Sequence, residues 1–254
     1  MHVRRALVGI VVVASAVAMV AADQTTGARP TPPGFTSLFN GKDLSGWRGR
    51  QRDYNVYTEA KLTPEEKAAK QTQWNADRDL HWKVDTAKGE LVSDGLSVFL
   101  TTEKDYTDFE FWVDWLMVSH NGDSGIYLRD FPQVQIWDPE NPGEVRNGAP
   151  RGSGALWNNN PDNPGKWPLV KADKPVGEWN TFKIRMVGNR VWVTFNDQVT
   201  VDGQVMDNIY DRAQPVLPKG AIELQTHGSE MRFRNIFVRE IPAAEAAAIL
   251  KTIK

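Results

Sequence analysis

Residues 109–137 read FEFWVDWLMVSHNGDSGIYLRDFPQVQIW, and their pattern sets the fold. Side chains two apart on a strand share a face. In Phe109–Val118 one face holds Phe109, Phe111, Val113, Trp115 and Met117, and the other holds Glu110, Trp112, Asp114 and Leu116. In Gly125–Asp130, Ile126 and Leu128 oppose Gly125, Tyr127 and Arg129. In Gln133–Trp137, Val134 and Ile136 oppose Gln133, Gln135 and Trp137. The turn-forming residues His120-Asn121-Gly122-Asp123 separate the first two runs. Short alternating runs joined by turns describe antiparallel strands with one face toward a core.

The same pattern recurs outward from this stretch. Trp82–Asp85 and Glu90–Ser93 flank a turn at Lys88-Gly89. Ser97–Thr101, Thr181–Val187, Val191–Asn196, Ala221–Thr226 and Met231–Ile241 are further strand-like runs. Val187-Gly188-Asn189-Arg190 reads as a hairpin turn. One helix is expected, over 63–81: Thr63 as N-cap, Pro64 at the first helical position and Glu66 closing a capping box. Residues 138–178 form a long Pro/Gly/Asn-rich connection, and a loop of that length in a compact domain is usually functional or disordered. Residues 23–33 read as a flexible linker, and 242–254 as a tail with a short helix at Ala243–Ile249. No internal repeat is visible. The expectation is an all-β sandwich of two antiparallel sheets with one helical insertion.

The chain has 254 residues, ten tryptophans and no cysteine. Without cysteine there is no disulfide framework, Cys-ligated zinc, iron–sulfur cluster or thiol nucleophile. Thirty basic against 32 acidic side chains argue against a nucleic-acid or anionic-membrane binder. Residues 1–22 have Arg4 and Arg5 before an apolar run from Ala6 to Val20, then Val20-Ala21-Ala22. This is the pattern of a secretory signal peptide cleaved after about Ala22. The protein is therefore expected in the periplasm or outside the cell, with no membrane association after cleavage. Removal would leave a net charge of −4.

The polar faces are unusual. A solvated sheet face normally carries Lys, Thr, Glu and Ser. Here three strands present Tyr127 and Arg129; Gln133, Gln135 and Trp137; and Glu223, Gln225 and His227. Planar hydrogen-bonding groups among aromatics suit a sugar, which offers hydroxyls at its edge and C–H groups at its faces. An ordinary wet face is the plainer reading. Trp157-Asn158-Asn159-Asn160 in the long loop would cover such a face, with Trp157 and Asn158 touching the ligand. Trp112 and Trp137, on polar faces, join Trp157 as expected ring platforms.

Within that set His227 is the best general base, since imidazole titrates near neutrality. His81 ends the helix and His120 sits in a turn. Arg129 either pairs with Asp114 or Glu110, or stabilises charge on a substrate oxygen. Glu223 is either an ion-pair partner or an acid/base. Asp138 either caps the long loop or accepts sugar hydroxyls. Asp123 and Ser124 are explained by turn formation.

Other chemistries fail. No serine-nucleophile elbow, phosphate-binding glycine loop or paired-histidine metal motif occurs. A divalent cation such as Ca²⁺ bound by loop oxygens stays open; no other cofactor is indicated. Glu110 and Asp114 share a face, but ~13 Å of strand separates them, too far for a paired-carboxylate glycosidase.

Several segments carry a family resemblance. Gly34-Phe35-Thr36-Ser37-Leu38-Phe39-Asn40-Gly41-Lys42-Asp43-Leu44-Ser45-Gly46-Trp47 resembles the opening motif of the 3-keto-disaccharide hydrolase family. Asp123–Arg129, Gln133–Asp138, Gly177–Thr181, Ile222–Gly228 and Arg234–Ile236 resemble its later strands, in order. The resemblance spans about 34–241. It implies a concanavalin-like jelly roll and a secreted enzyme that cleaves 3-keto-glycosides by elimination or hydrolysis. It implies an oligosaccharide or glycoside substrate, with His227 as base and Arg129 and Gln135 binding the oxyanion. Many family members have Glu where Gln133 stands and Asp where Thr226 stands, so the pattern is altered at those positions. A non-catalytic lectin-type module is the alternative, and a purely structural envelope protein a third reading.

Overall fold

The structure, a computed structural model, describes residues 27–52 and 54–253. The expected leader 1–22 lies outside the described residues. In chain order the elements are β1 (Thr36–Ser37), β2 (Trp47–Arg50), α1 (Val56–Glu59), α2 (Pro64–His81), β3 (Trp82–Asp85), β4 (Glu90–Ser93), β5 (Phe99–Thr102), β6 (Phe109–Met117), β7 (Asp123–Leu128) and β8 (Phe131–Trp137). Then follow β9 (Asn180–Val187), β10 (Arg190–Phe195), β11 (Gln198–Val205), β12 (Ile222–Leu224), β13 (Met231–Glu240) and α3 (Ala243–Lys251). The expected strands are present, and β1, β2 and β11 are added to them.

The strands form two antiparallel sheets, the expected jelly-roll sandwich. The eight-stranded sheet runs β11-β10-β9-β6-β13-β4-β3, with β1 also on β13. The five-stranded sheet runs β2-β5-β12-β7-β8. The apolar sets read from alternation face each other. Phe109, Phe111, Val113, Trp115 and Met117 of the larger sheet meet Ile126, Leu128, Val134, Ile136, Ile222 and Leu224 of the smaller in one core. Each large side chain so buried contributes roughly 1.5–3 kcal/mol, which explains a stable fold without disulfides.

Helix α2 starts at the expected capping box, with Thr63 Oγ1 accepting from Glu66 N and Glu66 Oε2 accepting from Thr63 N. It packs on β2, the edge of the smaller sheet. Gly49 donates its N–H to Asn75 Oδ1 (3.0 Å), and its carbonyl accepts from Gln71 Nε2 (2.9 Å). Side-chain amides thus stand in for a missing neighbour strand and close the edge. No helix among the described residues is long and apolar enough to cross a membrane.

Two expectations need correction. The described end of the linker is fastened rather than loose: Arg29 N donates to Asn235 Oδ1 (2.8 Å), Asn235 Nδ2 to Gly27 O (3.1 Å), and the Arg29 guanidinium pairs with Asp114. Trp112 does point outward, but from β6 in the eight-stranded sheet. It is therefore on the opposite side of the sandwich from Gln135 and Trp137.

Candidate functional site

The outer face of the five-stranded sheet carries the unusual side chains together. Register aligns Gly125 of β7 with Gln135 of β8, and Gln225 N donates to Gly125 O just beyond β12. Gln135, Gly125 and Gln225 therefore form one row across three strands. Gly125 is the gap in it. A Cβ there would lie 2.8 Å from Gln133 Cδ and 3.0 Å from Gln225 Oε1, so the glutamines converge over the glycine.

A relay leads from this row to the histidine. Gln133 Nε2 donates to Gln135 Oε1. Gln135 Nε2 donates to Asp123 Oδ1 (2.7 Å). Asp123 Oδ2 lies 3.0 Å from His227 Nδ1. A carboxylate only accepts, so Nδ1 carries the hydrogen and Nε2 holds the lone pair of the neutral ring. An imidazole oriented in this way has a fixed tautomer and presents Nε2 as an acceptor, the arrangement a general base needs. Beside it, Gln133 Oε1 and Gln225 Oε1 are buried acceptors without a partner among the described residues. Tyr127, on the same face, packs edge-on against Phe99 (5.1 Å between centroids).

Asp123, which turn formation alone explains in the sequence, belongs to this site. Its parity with Gly125 and Tyr127 was the signal: the strand starts inside the expected turn, at Asp123, and the same face continues back to it.

Arg129 is elsewhere. Positive φ at Arg129 (54°) and Asp130 (67°) ends the strand in a tight turn. The Arg129 guanidinium donates to Gly188 O (2.6 Å) and pairs with Asp108 (2.9 Å), fastening the hairpin to the other sheet. Six residues of strand, ~20 Å, separate that end from Asp123. Burial, partly offset by Asp108, draws its pKa down. It binds no oxyanion beside His227.

Glu223 is a buried ion-pair partner. Its Oε1 lies 2.6 Å from Arg50 Nη1, and Oε2 accepts from Thr101 (3.2 Å). Arg50 also pairs with Asp130 (2.5 Å) and Glu59 (2.8 Å). Burial, with the Glu223 charge adding to it and Arg50 opposing, pushes the Asp130 carboxyl up to about 7. Four residues of strand put Glu223 ~13 Å along from His227, too far to share its proton.

Asp138 caps the loop. It is buried and accepts from Asn121 N (2.7 Å), Glu140 N (2.9 Å) and His120 Nδ1 (3.1 Å). Burial alone would raise its pKa, but these donors hold it below the usual carboxylate range. It lines a rim cavity of about 250 Å³ with Asp173 and Lys174, off the glutamine face.

Trp137 is on the glutamine face, where its ring meets Trp157 edge-on at 5.8 Å. Trp157 Nε1 donates to Asn147 O (2.7 Å), and Lys166 Nζ sits 4.5 Å from the Trp157 ring. Asn158 gives its carbonyl to Arg212 (2.8 Å), and its Oδ1 is buried without a partner among the described residues. The long loop does not simply drape over the face. It also extends the sheet: Gln135 N donates to Ala155 O (2.9 Å) and Gly154 N to Gln135 O (2.8 Å). Among the described residues no three His, Asp or Glu side chains converge to hold a metal ion.

The jelly roll presents an oriented histidine and a row of amides on one outer face, and the family that its sequence matches is a carbohydrate-active one. The particular family follows from the sequence: residues 34–239 match the model of the 3-keto-alpha-glucoside-1,2-lyase-like domain, and the chain belongs to that family. The expected resemblance is thereby shown. Two crystal structures of candidate glycosyl hydrolases from Parabacteroides distasonis ATCC 8503 share the fold. One is 22% identical over 82% of this chain and 94% of its own, with a TM-score of 0.55. The other is 22% identical over 82% of this chain and 99% of its own, with a TM-score of 0.51. No curated protein matches the sequence.

Proposed function

We propose that this chain is an enzyme that cleaves the glycosidic bond of 3-keto-glycosides by elimination, with His227 as the base. Family membership supports the substrate class. The observation that carries the mechanism is the His227–Asp123 contact, backed by Gln135.

A ketone at C3 acidifies the proton on C2. His227 Nε2 takes that proton, and the C–H electron pair becomes the enolate. The enolate collapses, forming C1=C2 and breaking the bond from C1 to its substituent oxygen. The departing oxygen takes a proton from the imidazolium or from water. Later addition of water across the double bond makes the net reaction a hydrolysis. Such a reaction needs one base and an enolate donor, not two carboxylates.

Arg129 is replaced in this scheme. The Gln225 amide, one outward-facing position before His227, donates to the enolate oxygen. Gln135 holds Asp123 rather than the substrate, because its amide N–H groups point at Asp123 and backbone carbonyls. Gln133 Oε1 and Gln225 Oε1 accept sugar hydroxyls.

The test is turnover of a chromogenic 3-keto-glucoside beside its unoxidised parent. The wild-type chain should cleave only the keto sugar, and His227→Ala should lose ~10²–10⁴-fold in kcat. Saturable binding of unoxidised sugar with no cleavage of either would replace this reading with a lectin-type module.

A further inference from the structure

The outer face of the eight-stranded sheet, on the far side of the sandwich, holds a groove of about 250 Å³. Trp112 of β6 and Trp192 of β10 both line it, with Lys183 and Arg185 of β9 between them. Lys183 Nζ is 5.5 Å from the Trp112 ring and Arg185 Cζ 5.9 Å from the Trp192 ring, near the outer limit of a cation–π contact. Each cation thus lies over its ring at a distance where the attraction is weak.

Both indoles are held in place. Phe35 packs against Trp112 at 4.5 Å between centroids. Gly203 has φ of 62°, and a Cβ there would come 3.0 Å from the Trp192 ring. The backbone thus forms a flat seat on which that indole rests. Trp192 also packs against the cluster of Val187, Ile241, Ala246 and Ile249 beside α3, and both indoles stay half-buried, so part of each ring still faces the groove.

The charges in the groove are balanced. Arg185 pairs with Glu110 (3.0 Å) and Lys183 with Asp197 (2.9 Å). Balanced charge favours an uncharged ligand over an anion. Planar aromatic faces bordered by carboxylate and ammonium groups match the C–H faces and hydroxyl edges of a sugar. Strand spacing puts the two tryptophans ~12 Å apart, wider than one sugar ring. A ligand touching both is an oligosaccharide.

We infer that this groove is a second, non-catalytic binding site for neutral oligosaccharides. It does not depend on the 3-keto chemistry proposed for the other face. Its effect is to raise the local concentration of glycan around the enzyme, since a second contact turns the next binding event into an intramolecular one.

The test titrates unoxidised cellohexaose and maltohexaose into the full chain by calorimetry, and follows the tryptophan indole N–H resonances. At least one sugar should bind, shifting the Trp112 and Trp192 signals. Trp112→Ala and Trp192→Ala should each weaken binding at least tenfold, with turnover of a small 3-keto-glucoside unchanged. His227→Ala should bind the hexasaccharide normally, which separates this site from the catalytic reading. No binding of either sugar, shifts confined to Trp137 and Trp157, or full affinity in the double tryptophan variant would overturn the inference. The resonance shifts use the unaltered protein, so a variant that misfolds does not decide the matter.

Discussion

Asp123 Oδ2 stands 3.0 Å from His227 Nδ1, joining the first residue of β7 to the segment just beyond β12. The contact places the imidazole and selects its tautomer. An amide in place of the carboxylate can present either its oxygen or its NH₂, and the NH₂ favours a hydrogen on Nε2, the wrong nitrogen. Asp123→Asn should lower kcat for a 3-keto-glucoside by ~10²–10⁴-fold with KM little changed. The pH profile of kcat should also differ between the two proteins, because the variant lacks the carboxylate charge beside the imidazole. A variant with wild-type kcat and profile would remove Asp123 from the mechanism.

Gly125 tests the glutamine row without touching the base. The backbone there is ordinary, so alanine brings no conformational strain, only a methyl group 2.8 Å from Gln133. The glutamines must move apart. Gly125→Ala should cost about 1–3 kcal/mol of stability through overpacking. It should also reduce kcat/KM at least tenfold, because Gln133 and Gln225 leave their places. Measured by kinetics and denaturant unfolding on one sample, a stability loss with unchanged kcat/KM would show that the row does not hold substrate.

Much of the fold was legible because alternation is local. Phe109–Met117 shows its inward face in the sequence, and the capping box at Thr63 marks the start of α2. What escaped was either non-local or hidden by a second role. Alternation shows that Trp112 points outward, but strand order decides from which sheet. Arg129 shares parity with Tyr127, yet the chain turns with positive φ at that residue and carries it to the other sheet. Asp123 serves turn and strand at once, so its turn role masked its place beside His227. β11 escaped where its pairing with β10 shifts register between Val191 and Val193, near Gly203. His227 was legible because it shares the outward parity of Glu223 and Gln225 and carries the side chain suited to a general base.

The Arg50 cluster makes stability depend on pH. Asp130 is pushed up to about 7 by burial, with Glu223 adding to it. The folded pKa is thus above the unfolded value of about 3.9. Between those two values the folded state holds more protons, so stability falls as pH rises through about 4 to 7 and the penalty is complete above that window. Asp130→Asn carries no titrating proton there. Calorimetric Tm values from pH 4.5 to 8 should decline more steeply for the wild type than for the variant. Parallel curves would mean that Asp130 titrates as an ordinary carboxyl.

The α2–β2 contact predicts a separation of stability from activity. Gly49 lies so close to the helix that a Cβ would come 2.1 Å from Trp74 O, a backbone atom that cannot swing away. Asn75 and Gln71 complete the hydrogen bonds of the same residue. Asn75→Ala should leave the Gly49 N–H unpaired and cost about 1–3 kcal/mol. Gly49→Ala should cost more, by forcing the whole helix off the edge. An uncovered edge strand pairs with other chains, so Gly49→Ala should also aggregate on mild heating, visible by light scattering. The Gln133–Gln135–Asp123–His227 relay lies on strands away from β2, across β5 and β12 in the sheet order. Folded Asn75→Ala at low temperature should therefore turn over a 3-keto-glucoside at the wild-type kcat. A fall in kcat without a fall in Tm would show that α2 supports the catalytic face and does more than close the sheet.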